Sequence, residues 1–416
     1  MPDLHRDTLD GALQARLQRQ RERHRYRERR TTSGAGVRGP HDRLTFCSND
    51  YLGLAGEPRL AEALAEGARR FGTGGGASHL VCGHSEAHER LEQRLATWTG
   101  RERALLFSSG YQANLGVISA LLGRGDIALH DRLNHASLLD ATRLAGAGLE
   151  RFAHGDATAC EQRLAALDPS RRRLVVTDGV FSMDGDTADL PALASACERH
   201  HAWLMVDDAH GLGVLGVTGR GTLESQSVTP QAVPVLMGTL GKALGTQGAF
   251  VAGSDALIEA LIQFSRPYVY TTSLSPALAW ATLTSLDLVE NEPERRGHLD
   301  SLIAHFRREA AGLHAHGLTL MPSCTPIQPL VVSRHSAQRA GDGEDGGNDL
   351  AALAMAESLE ASGIWCSAIR SPTVPVGSAR LRVTLSASHT RADVDRLLET
   401  LYRVSHPSRI AGRERS

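Results

Sequence analysis

Short apolar runs alternate with segments of helical periodicity along most of the chain. The runs predict strands at Ala104–Phe107, Ile127–His130, Leu174–Thr177, Trp203–Val206, Val233–Met237 and Ala249–Ala252. Between them, segments such as His88–Trp98 and Leu190–His200 place apolar residues on one helical face. Continuous apolar strands separated by helices imply a mostly parallel sheet covered on both sides, a doubly wound α/β domain. Near residue 290 the pattern changes. ENEPERRGHLDSL reads as a long polar-faced helix, followed by short strands at Thr319–Met321, Pro329–Val332 and Trp365–Ile369. In ARLRVTLS, Leu381, Val383 and Leu385 alternate with Arg380, Arg382 and Thr384, which predicts a strand with one face in water. The expected organisation is an N-terminal helical arm (1–45), a large α/β domain (46–290) and a small C-terminal α+β domain (291–416). The acidic, glycine-rich segment Ser336–Asp349 lacks periodicity and reads as a surface loop.

Charge narrows the function. The 416 residues carry 45 Lys+Arg against 47 Asp+Glu, a net charge of −2, which argues against coating nucleic acid or an anionic membrane. Residues 16–30 hold eight arginines and two glutamates and read as a solvated helical face rather than a nucleic-acid arm. No run approaches the ~18 apolar residues of a membrane span. The six cysteines form no C-x-x-C pair, and the N-terminus lacks a signal-peptide core, so a cytoplasmic location is expected. One residue alters the picture. Lys242 is the single lysine in the chain.

Three polar clusters follow three predicted strands: Asp178–Ser182, Asp207–His210 and Thr239–Lys242. Their starts are 29 and 32 residues apart, about one βαβ unit, which brings them to the carboxyl edge of one parallel sheet, where such folds bind ligands. An amine at that edge can form a Schiff base once burial lowers its pKa, which arginine cannot do. Asp207 suits a protonated pyridine nitrogen and His210 a ring oxygen, although an Asp-x-x-His pair after a strand also serves as a turn cap. The glycine run FGTGGGASH (71–79) and the turn Ser108–Tyr111 offer backbone N–H groups to a phosphate. Other patterns fall short. VLMGTLGKALG has Leu236 and Ala243 where a P-loop needs Gly and Ser or Thr. His84 and His88 lack the glutamate spacing of a zinc-protease helix, and GVFSMDG is no nucleophile elbow.

The strings SNDYLGL (48–54), SSGYQANLG (108–116), DRLNHAS (131–137), TDGVFSMDGD (177–186), VDDAHGLGVLG (206–216), GTLGKALG (238–245) and RSPTVPVGSARLRVTLS (370–386) resemble the α-oxoamine synthases, fold-type I pyridoxal-phosphate enzymes. The likeness runs in order from about residue 12 to 405, and implies the fold type I architecture, a large domain with a mostly parallel seven-stranded sheet and a small C-terminal α+β domain. It implies that Lys242 carries pyridoxal 5'-phosphate and removes the substrate's α-proton. It also implies that Asp207 pairs with the pyridinium nitrogen, His210 contacts the phenolic oxygen and His135 stacks on the ring. Gly110, Tyr111, Ser182 and Thr239 would hold the cofactor and its phosphate. Arg370 and Thr373 would lie near substrate, and Arg23, with Arg21 and Arg25 as competing registers, would meet a distal carboxylate. The family forms its sites in homodimers, so Thr271 and Thr272 are expected to reach the partner subunit's phosphate. Within the family, DDAHG followed by GVLG and GRG points to the member of biotin biosynthesis. That member condenses L-alanine with a pimeloyl thioester, of coenzyme A or acyl carrier protein, with loss of CO2. A sibling using glycine or serine would share Lys242 and Asp207; a nucleic-acid binder would use the arginine run instead.

Overall fold

The computed structural model describes residues 8–23, 25–32, 34–333 and 347–405. Its centre is a seven-stranded sheet. After a two-residue strand, β1 (Leu44–Thr45), the sheet strands are β2 (Arg103–Phe107), β3 (Ile127–Asp131), β4 (Gly148–Phe152), β5 (Arg173–Asp178), β6 (Trp203–Asp207), β7 (Val235–Thr239) and β8 (Ala249–Gly253). They lie in the order β2-β8-β7-β6-β5-β3-β4, parallel from β7 to β4, with β8 antiparallel to both neighbours. The expected strands are all present. The edge strand β4 was not anticipated, because GLERF alternates weakly and is only half-buried.

Both sheet faces are covered. One side packs Leu105, Val176, Met205 and Val251 against the helices Gly110–Leu121 and Asp255–Phe264; the other packs Val175, Leu204 and Leu236 against Leu190–Arg199. Burial on both faces explains the unbroken apolar strands. The polar-faced segment near residue 290 is two helices, Pro276–Asn291 and Pro293–Ala310, because Pro293 cannot continue the first and instead opens the second.

The small C-terminal domain holds an antiparallel sheet of β9 (Leu318–Leu320), β10 (Ile327–Val332), β12 (Ser367–Ile369) and β13 (Arg380–Thr384). The expected single strand Trp365–Ile369 is two: β11 (Ile364–Trp365) pairs with β1 instead. The expected wet face of β13 is also corrected. Arg380, Arg382 and Thr384 are buried, because that face lies against the Ser182–Asp186 loop of the large domain. Arg380 pairs with Asp184, and Arg382 donates from Nε to the Ser182 carbonyl at 2.6 Å.

The arginine-rich arm is helical only over Leu9–Glu22, where no residue is buried; from Arg25 to Thr32 the chain runs without helix. The Ser336–Asp349 loop lies outside the described residues as far as 346, and Gly347 opens a helix to Ala361. Among the described residues no helix is long and apolar enough to cross a membrane.

Candidate active site

The three polar clusters meet at the carboxyl ends of adjacent strands. Asp178 ends β5, Asp207 ends β6 and Thr239 ends β7, with Asp178 and Asp207 paired across the sheet. A cavity of about 220 Å³ opens there, lined by Gly110, Tyr111, Asn114, His135, Ser182, Asp207, His210, Thr239 and Lys242 among others. Gly110 opens its helix, capped by Ser109 Oγ, which accepts from Gln112 N at 3.3 Å. Gly110 and Tyr111, at the positive end of this helix, line the cavity.

Lys242 Nζ is 2.8 Å from His210 Nε2. Burial lowers the Lys242 pKa to about 8, against the opposing pull of Asp207 and Asp178, so the amine is poised to lose its proton near neutrality. Burial, and then the Lys242 charge, holds His210 well below its ordinary value. Asp207 is fixed through both oxygens: Oδ1 accepts from Ala209 N at 3.1 Å, and Oδ2 from Asn114 Nδ2 at 2.8 Å. Asn114 also donates to Ser137 Oγ, which sits 2.7 Å from His135 Nδ1. Asp178 Oδ2 accepts from His135 N at 3.1 Å. Burial, with Asp207 next to it, pushes Asp178 well above the usual carboxylate range. Its Oδ1 and the Oδ1 of Asn114 are buried with no partner, so the cavity wall has polar capacity that a bound group can use.

The turn carrying Asp207 and His210 is locked from below by Asp208, which is fully buried and accepts from Thr222 N at 2.7 Å and Thr222 Oγ1 at 2.5 Å. A Cβ on Gly211 or Gly221 would come within 2.1 Å of that carboxylate, which is why DDAHG and GRG carry glycine there. The Ser182 loop is held by Asp184 on Arg380 and by Asp186 on His154 Nε2 at 2.9 Å.

Other predicted residues lie elsewhere. Arg23 caps the exposed N-terminal helix and does not line the cavity. Arg25, one of its competing registers, donates to Ser371 Oγ at 3.1 Å. Arg370 donates to the Tyr26 carbonyl at 3.3 Å, and Thr373 stands exposed in the turn that follows it. Thr271 and Thr272 follow the short helix Arg266–Val269 and do not line this cavity. His79, His84 and His88 come close enough to suggest a metal, but both nitrogens of His88 are already bonded, to Ser85 and the Leu274 carbonyl.

Three residues that sequence reasoning left without a role are part of this network. Tyr51 Oη lies 2.6 Å from His210 Nδ1, Asn49 Oδ1 accepts from Arg382 Nη2 at 3.1 Å, and Arg382 is 6% exposed. Their strings, SNDYLGL and RLRVTLS, were visible, but nothing in local pattern says that they converge on one lysine.

The profile of the aminotransferase class I and II family matches residues 41–401. The chain belongs to this family. A curated relative, the 8-amino-7-oxononanoate synthase of Cellvibrio japonicus, is 56% identical over 369 residues, covering 89% of this chain and 88% of that one. Among solved structures, SPT with a PLP internal aldimine superposes with a TM-score of 0.84 at 29% identity, covering 97% of this chain and 99% of that one. The 8-amino-7-oxononanoate synthase of Francisella tularensis superposes at 0.72, with 29% identity over 87% of this chain and 97% of that one. The family's fold type I architecture is the one described above.

Proposed function

We propose that the chain catalyses the reaction of an 8-amino-7-oxononanoate synthase. L-alanine and a pimeloyl thioester, of coenzyme A or acyl carrier protein, give 8-amino-7-oxononanoate, CO2 and the free thiol in biotin biosynthesis. The observation that carries this reading is the single lysine, within hydrogen-bond reach of a neutral histidine, beside a doubly anchored aspartate in one cavity.

Pyridoxal 5'-phosphate supplies the electron sink for the substrate's α-carbon. The donor set suits it. Lys242 would hold it covalently, Asp207 would pair with its pyridine nitrogen and His210 with its ring oxygen. His135 would cover its face, and the Gly110–Tyr111 helix start with Thr239 would take its phosphate. Once freed, Lys242 Nζ is the base for the α-proton, and a pKa near 8 lets it accept and return that proton at working pH. Arg382, a buried cation beside this pair, suits the amino acid carboxylate, with Arg370 nearer the surface. Arg25, with Arg23 further out, suits the far carboxylate of the acyl chain. The working unit is a homodimer in which Thr271 and Thr272 serve the partner's phosphate.

A sibling reaction with serine is the second reading, favoured by the close superposition on SPT. Absorbance titration of the pyridoxal-phosphate-loaded protein separates the two. The visible band should respond at low L-alanine and only weakly to glycine or L-serine, and a pimeloyl thioester should then be consumed. A response led by serine or glycine moves the enzyme to the sibling; no band in folded protein refutes both readings.

A further inference from the structure

Tyr51 is wholly buried in the core beside the large sheet, yet its hydroxyl emerges against an active-site histidine. Tyr51 Oη is 2.6 Å from His210 Nδ1, while the other nitrogen of that ring, Nε2, is 2.8 Å from Lys242 Nζ. The second neighbour of the hydroxyl is Asn49 Oδ1, at 3.3 Å, and that oxygen already accepts from Arg382 Nη2 at 3.1 Å.

We infer that Tyr51 is a positioning residue: its O–H donates to Nδ1 of His210 and so fixes the imidazole as the tautomer that presents Nε2–H to the cavity. The proton count leaves one alternative. Burial pushes the Tyr51 phenol up to about 12, so it keeps its proton. His210 is neutral, held down first by burial and also by the nearby Arg382 cation, so it carries one N–H. If that N–H sat on Nδ1, the phenol would have to send its hydrogen along the longer path to Asn49, against the Arg382 cation. The shorter contact and the charge both select Nδ1 as acceptor.

Two consequences follow. Without cofactor, above the Lys242 pKa of about 8, Nε2–H donates to the unprotonated amine; below it the ammonium needs Nε2 as an acceptor and competes with the Tyr51 hydroxyl for the choice of tautomer. With cofactor, and resting on the function proposed above, Nε2–H is a donor ready for an anionic ring oxygen. A histidine of the other tautomer would meet that oxygen lone pair to lone pair.

The test uses the full chain with ring-15N-labelled histidine, read by solid-state NMR with and without pyridoxal phosphate; His210→Gln assigns the signal by difference. At pH 9, where the Lys242 amine is mostly unprotonated, the expected result is an unprotonated Nδ1 and a protonated Nε2 in both states. In Tyr51→Phe, which keeps the ring and removes only the hydroxyl, the two tautomers should mix. The pH midpoint of the bound cofactor's visible band should shift by about one unit, and kcat should fall about tenfold with KM for both substrates little changed. A protonated Nδ1 in the unsubstituted chain overturns the inference, as does a Phe variant that keeps one tautomer and the original midpoint. Should the Phe variant not fold, the unsubstituted chain alone decides. Absence of any visible band refutes the proposed function, while the cofactor-free spectrum still decides the role of Tyr51.

Discussion

Asn114→Ala gives the sharpest test of how Asp207 is held. Asn114 is 1% exposed, and its Nδ2 donates to Asp207 Oδ2 at 2.8 Å and to Ser137 Oγ at 2.9 Å. A buried hydrogen bond to a charged group contributes about 1.5–3 kcal/mol and a neutral one about 1 kcal/mol, so losing both lowers stability by roughly 3 kcal/mol. Asp207 keeps Ala209 N as a donor, so the carboxylate stays in the cavity but is free to turn. Cofactor affinity should then fall about tenfold, the equivalent of 1.4 kcal/mol. Denaturant unfolding of the cofactor-free chain measures the first quantity, and absorbance titration with pyridoxal phosphate the second. A variant within 0.5 kcal/mol of the parent and with unchanged affinity would refute the argument that this amide anchors Asp207. Asn114→Asp is expected to be worse on both measures, since it sets a second carboxylate where the amide N–H groups stood.

Further expectations concern charge and the arm. Because the Lys242 pKa is lowered to about 8, the rate at which cofactor-free protein captures pyridoxal phosphate should climb with pH to a plateau with its midpoint near 8; stopped-flow absorbance reads it. His154 is pulled down by burial, but its bonds to Asp131 and Asp186 outweigh this and raise it to about 10. Its folded pKa is the higher one, so its contribution is complete below about 6.5 and is lost as pH rises through 10. His154→Gln should therefore lower the Tm at pH 6 and approach the parent above pH 10, in calorimetric scans. Arg25→Ala should raise the KM for the pimeloyl thioester several-fold, whereas Arg23→Ala should leave it within twofold; the reverse order would return the role to Arg23.

The large sheet was legible, its half-buried edge strand β4 apart, because its other strands each carry their own signal: an unbroken apolar run whose polar follower must emerge at one edge. That logic located Asp178, Asp207 and Thr239 without any tertiary information, and Lys242 stood out by being alone of its kind. Period-two alternation in β13 was read correctly as a strand and wrongly as a wet one. Alternation reports that two faces differ; it does not say whether the polar face meets water or a charged loop 200 residues away, and Arg382 met the Ser182 carbonyl. Tyr51 was illegible for the opposite reason. As a buried aromatic it looks like core, and only its last atom belongs to the site. The arm misled because charge repeats do not fix a helix boundary, and the helix stops at Glu22.

Arg380 and Arg382 stand two residues apart on one short strand, one gripping Asp184 and the other the Ser182 carbonyl and Asn49. Strand, loop and the SNDYLGL segment therefore behave as a single linkage. The small domain is thus tied to the wall of the cavity by two guanidinium grips, and swapping its loops in redesign should leave selectivity intact only while both are kept in register.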